Sequence, residues 1–468
     1  MRDAVTTRQK ELAGKYRPYP EYKDSGVELL GDIPIHWIVS RLKHTASIQS
    51  GIPKGKDLTD KTTISVPMLR VANVQDGYLN LDDIHQIDIE PHELERYSLQ
   101  KGDVLMNEGG DNDKLGRGAV WQGDIEHCIH QNHVFAIRTE NIEPEWLQQL
   151  MQSSYAKFYF YSVAKQSTNL ASISSSNIKE TPLLIPPKLE RIKVLAFLNY
   201  ETARIDRLIA QQLRLIELLK EKRQAVISHA VTKGLNPNAP MIDSGVEWLG
   251  QVPAHWVVRR LKHTAEIHSG IPKGKDLSGK DTITVPMLRV ANVQDGYLNL
   301  DNVHEIEIEP HELVRYSLRA GDVLMNEGGD NDKLGRGAVW PGQITPCIHQ
   351  NHVFAIRVNN IEPEWLSWLT SSSYAKYYFY SVSKQSTNLA SISSSNVKET
   401  PLVLPPKNER VEIMRYLDEK IAKLSGIESL AALQIELLQE RRTALISAAV
   451  TGKIDLRGWT QPAEEAAV

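Results

Sequence analysis

The chain has 468 residues, 41% hydrophobic and 24% charged, a globular composition with length for more than one core. Its 54 Lys and Arg against 58 Asp and Glu leave a net charge of -4, which excludes a basic coat over the whole surface but not a local basic face. Two cysteines exclude a disulfide framework, no apolar run approaches the roughly 20 residues of a membrane span, and the charged Met1–Tyr22 stretch is no signal peptide, so a cytoplasmic multidomain protein is expected.

Read from the start, the chain is written twice. Asp24-Ser25-Gly26-Val27-Glu28 returns as Asp243-Ser244-Gly245-Val246-Glu247, an offset of 219 that also relates Trp37 to Trp256, Trp121 to Trp340, Lys165 to Lys384 and Arg223 to Arg442. Between Ser50 and Lys188, 113 of 139 aligned positions are identical. A period this long marks a duplicated domain rather than a solenoid, and two such copies are expected to pack about a pseudo-twofold axis.

Each copy opens with a zone of α/β character, in which Gly- and Asn-rich turns separate short β-branched runs. Asp76-Gly77 is a turn followed by alternation over Tyr78–Leu81, and Val134–Ile137 is a strand candidate. Glu143-Pro144-Glu145-Trp146 places acid and proline at a helix start, with Trp146, Leu147, Leu150, Tyr155 and Phe158 as its buried stripe. After Pro186-Pro187, Glu190 to Val231 contains no Gly or Pro. Leu198, Ile205, Leu219 and Val226 share one heptad position, with Gln212 as the polar exception, and Leu208 and Leu215 fall three residues further along. Leu417, Leu424, Ala431, Leu438 and Leu445 repeat the seam. Two long helices with a coiled-coil stripe are expected, paired antiparallel. Gly234 and Thr451-Gly452-Lys453 end them, and Trp459–Val468 reads as a loose tail.

The order of these parts resembles the specificity (S) subunit of type I restriction–modification systems. The resemblance rests on Tyr19-Pro20-Glu21-Tyr22 with Pro34-Ile35-His36-Trp37, on Gly102-Asp103-Val104-Leu105 followed by Leu115-Gly116-Arg117-Gly118, on Pro186-Pro187-Lys188 leading to Leu218-Leu219-Lys220-Glu221-Lys222-Arg223, and on Ala449-Val450-Thr451-Gly452-Lys453-Ile454. It covers nearly the whole chain. It implies an α/β (α+β) fold with two similar target-recognition domains separated by two long antiparallel coiled-coil spacer helices. The expected division is an N-terminal arm (1–23), recognition domain 1 (24–188), spacer helix 1 (189–234), a linker (235–242), recognition domain 2 (243–407), spacer helix 2 (408–453) and a tail (454–468). Each recognition domain would read one half of a bipartite site in double-stranded DNA. The helices would set the gap and dock methyltransferase (M) subunits, two by symmetry. S-adenosylmethionine, ATP and Mg would belong to these and to restriction (R) subunits, with no cofactor, metal, catalytic residue or membrane contact in this chain. Because the two domains are so alike, the site should be palindromic.

DNA-reading residues are sought in loops rich in Arg, Lys, Asn and Gln. In Asn107–Gly118, repeated as Asn326–Gly337, glycines admit a close backbone while Asn112, Lys114 and Arg117, with Asn331, Lys333 and Arg336, reach for bases, and the Asp and Glu of the segment are candidate acceptors of cytosine amino groups. Lys54 and Lys56, with Lys273 and Lys275, are phosphate candidates. Gln131 and Asn132, with Gln350 and Asn351, lie beside a strand edge. Lys165, Gln166 and Asn169, with Lys384, Gln385 and Asn388, belong to an amide- and hydroxyl-rich run. The bland readings are solvated loops, caps and turns. Arg41, Lys43, Lys54, Lys56, Lys61 and Arg70 would form a basic face if Asp82, Asp83, Asp88, Glu90, Glu93 and Glu95 lie on the opposite one. Cys128, His130 and His133 lack a CxxC partner for zinc. Gly274–Asp281 fails the P-loop pattern at Asp281, and its first-copy counterpart fails at Asp60.

The rival classes are a stand-alone DNA methyltransferase or nuclease, and a coiled-coil adaptor without a DNA role. An amino-methyltransferase needs Asn/Asp-Pro-Pro-Tyr/Phe; Ile185-Pro186-Pro187-Lys188 and Asn236-Pro237-Asn238 do not qualify.

Overall fold

A computed structural model describes residues 16–53, 55–110, 115–167, 170–272, 274–329, 334–386 and 389–462. The chain divides into two compact units, one formed by the chain up to Gln212 together with the stretch from Leu433 on, the other by Leu213–Ala432. Among the described residues no helix is long and apolar enough to cross a membrane.

The first unit is built on a four-stranded antiparallel sheet in the order Ala46–Ser50, Val134–Thr139, Val104–Asn107, Gly118–Val120. Its two inner strands are buried on both faces, so alternate residues enter different cores. Val104, Met106, Phe135 and Ile137 pack with Trp146, Leu147 and Leu150. Leu105, Val134 and Ala136 pack with Leu69, Trp121 and Cys128. A second sheet pairs Ile64–Leu69 antiparallel with His85–Ile89 and parallel with Ile129–His130. The second unit repeats this plan, with Ala265–Ser269, Val353–Val358, Val323–Asn326 and Gly337–Val339 in the same order.

Glu143 and Pro144 open a helix over Pro144–Gln152 as expected, but it stops at Ser153. The Ser153 hydroxyl accepts from the Ala156 N–H and caps a separate helix, Ser154–Val163. The break changes the helical phase. Trp146, Leu147, Leu150 and Tyr155 are buried, whereas Phe158, expected on the same stripe, is 47% exposed. The alternation after Asp76-Gly77 is reduced to a single bridge between Val74 and Leu79, flanked by hydrogen bonds from the Gln75 N–H to the Tyr78 carbonyl at 3.0 Å and from the Asn80 N–H to the Asn73 carbonyl at 2.8 Å.

The long helices run Lys188–Lys233 and Lys407–Val450. In the first unit Leu198 and Ile205 share a core with Leu438 and Leu445, Asp206 pairs with Arg442 at 3.0 Å, and the Lys193 ammonium donates to the Arg457 carbonyl. Contacts that descend one segment while ascending the other make the pair antiparallel. The same holds in the second unit, where Arg223 meets Glu428 at 2.8 Å and Gly234 approaches Glu409. Leu208 and Leu215 do not join the seam and are exposed, since two helices bury one stripe each and leave the next to solvent. Gly234 and Gly452, with φ of 75° and 69°, end the helices in the left-handed conformation that a side chain resists. The expected loose tail is partly docked: Trp459 packs edge-on against Phe197, 5.4 Å between ring centroids, and that ring also receives Tyr16.

Candidate nucleic-acid interface

Three of the segments singled out in the sequence meet on one surface of the first unit. Gly109–Gly110 pairs antiparallel with Ala171–Ser172, which pairs in turn with Lys165–Gln166. A Cβ on Gly109 would lie 2.5 Å from the Ala171 carbonyl oxygen, so glycine is what lets these strands close. The third segment arrives through Glu108, whose N–H donates to the His133 carbonyl at 2.9 Å and whose carbonyl accepts from the Ile173 N–H at 2.9 Å. Together they line a concavity of about 510 Å³ with Glu108, Gly109, His133, Lys165 and Gln166 on its walls. In the second unit Glu327, Gly328, His352, Lys384 and Gln385 line the equivalent concavity of about 600 Å³. Every lining residue of one maps to the other at the repeat offset of 219, with the same identity.

Lys165, Gln166, Lys384 and Gln385 are exposed at these rims. Gln131 and Asn132 lie alongside, half-buried, their N–H groups bound to the Leu69 and Ile52 carbonyls at 2.9 and 3.0 Å; Gln350 and Asn351 are held likewise by Leu288 and Ile271. Arg117 reaches the Gln75 side-chain oxygen at 3.5 Å, on the turn before Gly77. Its counterpart Arg336 follows the second glycine-rich segment. Lys54, Asn112, Lys114, Asn169, Lys273, Asn331, Lys333 and Asn388 lie outside the described residues.

The basic and acidic stretches do not separate onto opposite faces. Lys56 binds Glu90 at 2.7 Å and Glu93 at 2.9 Å, Lys61 binds Glu90 at 3.0 Å, and Arg70 binds Asp83 at 2.9 Å. Lys43 pairs with Glu180 at 2.7 Å. Hydrogen bonds from Lys56 and then Lys61 hold the Glu90 carboxyl down at about 2, and those from Glu90 and Glu93 raise Lys56. Lys275 is gripped in the same way by Glu309 and Glu312. The strand pairing of Ile64–Leu69 with His85–Ile89 brings the stretches together, a register that charge counting along the chain does not reveal.

Cys128 and His130 are buried, as is Ile129 between them, and His133 is exposed in the turn that follows the Ile129–His130 strand, so burial here does not follow strand faces. Burial pushes the Cys128 thiol up to about 12 and lowers His130, whose Nδ1 is 2.7 Å from the Val134 carbonyl oxygen. His349 is lowered to about 4, also by burial first. His133 instead binds Glu108, Nδ1 to Oε2 at 2.7 Å. The sequence pointed to His133 only for zinc; it offered the Asp and Glu of Asn107–Gly118 as acceptors of cytosine amino groups but did not single out Glu108. Their placement on the concavity wall depends on a pairing across 25 residues.

A family model described as the Type I restriction modification DNA specificity domain matches residues 253–437. The EcoKI specificity subunit of Escherichia coli K12 is 22% identical over 414 residues, 85% of each chain. The StySPI specificity subunit of Salmonella potsdam is 22% identical over 407 residues, again 85% of each. A solved chain from a study of complex assembly and conformational transition in the type I R-M system covers 89% of this chain and 98% of its own, with a TM-score of 0.64 at 17% identity. The matched stretch covers most of the second copy, and the first copy repeats its sequence at the offset of 219. Over most of its length the chain is therefore similar to the specificity subunits of type I restriction enzymes.

Proposed function

We propose that this chain is a non-catalytic type I specificity subunit that reads a bipartite, palindromic DNA site, one half with each recognition domain. The observation that carries the reading is the identity of the two concavities, residue for residue, at a constant offset. Identical readers related by a twofold axis meet the same bases on opposite strands. The antiparallel helices set the unspecified gap and dock two methyltransferase subunits. Their mid-length apolar side chains support this role: Leu208, Leu215 and Leu218 on the first helix, and Ile427, Leu430 and Leu437 on the second, are exposed, the kind of stripe that a partner helix covers. S-adenosylmethionine, ATP and Mg act in the methyltransferase and restriction subunits. Much of the grip on phosphates comes from those partners, consistent with the net charge of -4.

Methylome sequencing of a host carrying the complete system tests the proposal. The expected result is one methylated motif with two identical inverted half-sites and a fixed gap. Two unrelated half-sites overturn the palindromic reading, and the absence of a sequence motif overturns the DNA-reading role.

A further inference from the structure

The Glu108 carboxylate stands on the surface that the proposed function turns toward a polyanion. Its main chain is locked by hydrogen bonds on both sides, and its Oε2 is held by the His133 ring at 2.7 Å. Its side chain is 31% exposed, so it remains accessible on the concavity wall beside Lys165 and Gln166. Glu327 repeats every feature: the His352 ring lies 2.8 Å from its Oε2, its main chain is bound to His352 and Ile392, and its side chain is 29% exposed. A carboxylate repels phosphate and accepts only from a donor. In the major groove the amino donors are cytosine N4 and adenine N6, and adenine places the N7 acceptor beside its donor, where a second carboxylate oxygen meets lone pairs. Cytosine carries no such neighbour on its own edge.

We propose that Glu108 and Glu327, oriented by His133 and His352, are specificity-determining residues that each accept the N4 amino group of a cytosine, one in each half-site. The inference rests on the DNA-reading function above. The paired ring fixes the carboxylate rotamer before DNA arrives, so less side-chain freedom is lost on binding. His133 and His352 are positioning residues.

The test uses the full chain co-expressed with its methyltransferase subunits in an unmethylated host, read by methylome sequencing. The unaltered complex should show a C·G pair at one fixed position of each half-site. Glu108→Gln should change that position in one half only, because an amide matches the adenine N6/N7 edge. Discrimination for C·G over A·T there should fall by on the order of tenfold to a hundredfold. The untouched half-site reports that the variant folds and assembles. His133→Ala should relax the same position and no other. If Glu108→Gln abolishes methylation, competition binding by the assembled complex, with oligonucleotides carrying C·G or A·T at that position, makes the same comparison. An unchanged preference in either assay, or half-sites without cytosine, overturns the inference while leaving the DNA-reading function intact. Absence of any motif with the unaltered chain overturns that function instead.

Discussion

The Ser447 hydroxyl oxygen accepts a hydrogen bond from the Ser154 backbone N–H at 2.8 Å, and the repeat offset turns this pair into Ser228 and Ser373, bonded identically at 2.8 Å. Ser154 and Ser373 open the helices beside each main sheet, while Ser447 and Ser228 lie near the ends of the long helices. Each sheet-bearing globular domain is therefore seated on the end of the long helix that belongs to the other copy. In the second unit the Gln224 side chain strengthens this seat by donating to the Ser371 carbonyl at 2.8 Å.

This exchange predicts the behaviour of half the chain. Residues 1–234 should homodimerise, because the helix end of one molecule offers Ser228 to the Ser154 N–H of its partner. The dimer should replace the full chain in directing methylation. Analytical ultracentrifugation and a methylation assay with the methyltransferase subunits check this; a monomer that stays inactive at high concentration counts against it.

The lysines at the concavity rims should carry part of the salt dependence of binding. Replacing Lys165 and Lys384 together with alanine should reduce the slope of log K against log salt for the assembled complex by roughly 1.8, if each lysine neutralises one phosphate. An unchanged slope would assign them to base edges or to solvent.

The exposed helix stripe should matter to partners and not to folding. Leu218→Glu with Leu437→Glu introduces charge where both side chains are already exposed. The melting temperature should hold within a few degrees, while association with methyltransferase subunits should weaken by on the order of tenfold or more. Pull-down and calorimetric titration distinguish this from a neutral surface.

Asp103 is buried and forms a paired hydrogen bond with Arg138, 2.8 Å at each oxygen. Arg138→Met should strand that carboxylate. Removing one partner of a fully buried pair costs about 3–5 kcal/mol; because Arg138 is itself 39% exposed, screening reduces the expected loss to about 2 kcal/mol. Arg357→Met should act likewise on Asp322. Urea unfolding of each variant and of the pair measures both effects, which should add if the two sites are independent.

Acid should destabilise the protein before its carboxylates titrate. His349 titrates at about 4 when folded and near 6.5 when unfolded, so between these values the unfolded chain binds the additional proton. Stability contributed by neutral His349 is complete above about pH 6.5 and is lost as pH falls toward 4, by about 3 kcal/mol in total. His130 shifts in the same direction. The urea midpoint at pH 5 should lie below that at pH 7, and His349→Gln should flatten the difference.

Much of the architecture is local information and was legible in the sequence. The offset of 219 needs only residue identity, and the Leu198–Ile205 seam needs only helical periodicity. The Glu143-Pro144 helix start and the glycine helix stops follow from backbone chemistry within a few residues. The tertiary structure decided the rest. Lys56 meets carboxylates 34 and 37 residues away, Gly109 pairs with Ser172 across 63 positions, and Ser154 finds Ser447 across 293. A side chain's periodicity depends on its neighbours along the chain. Whether a lysine faces DNA or a glutamate, and which wall a carboxylate stands on, depends on strand register and helix pairing between distant segments, and those are set only when the segments pack.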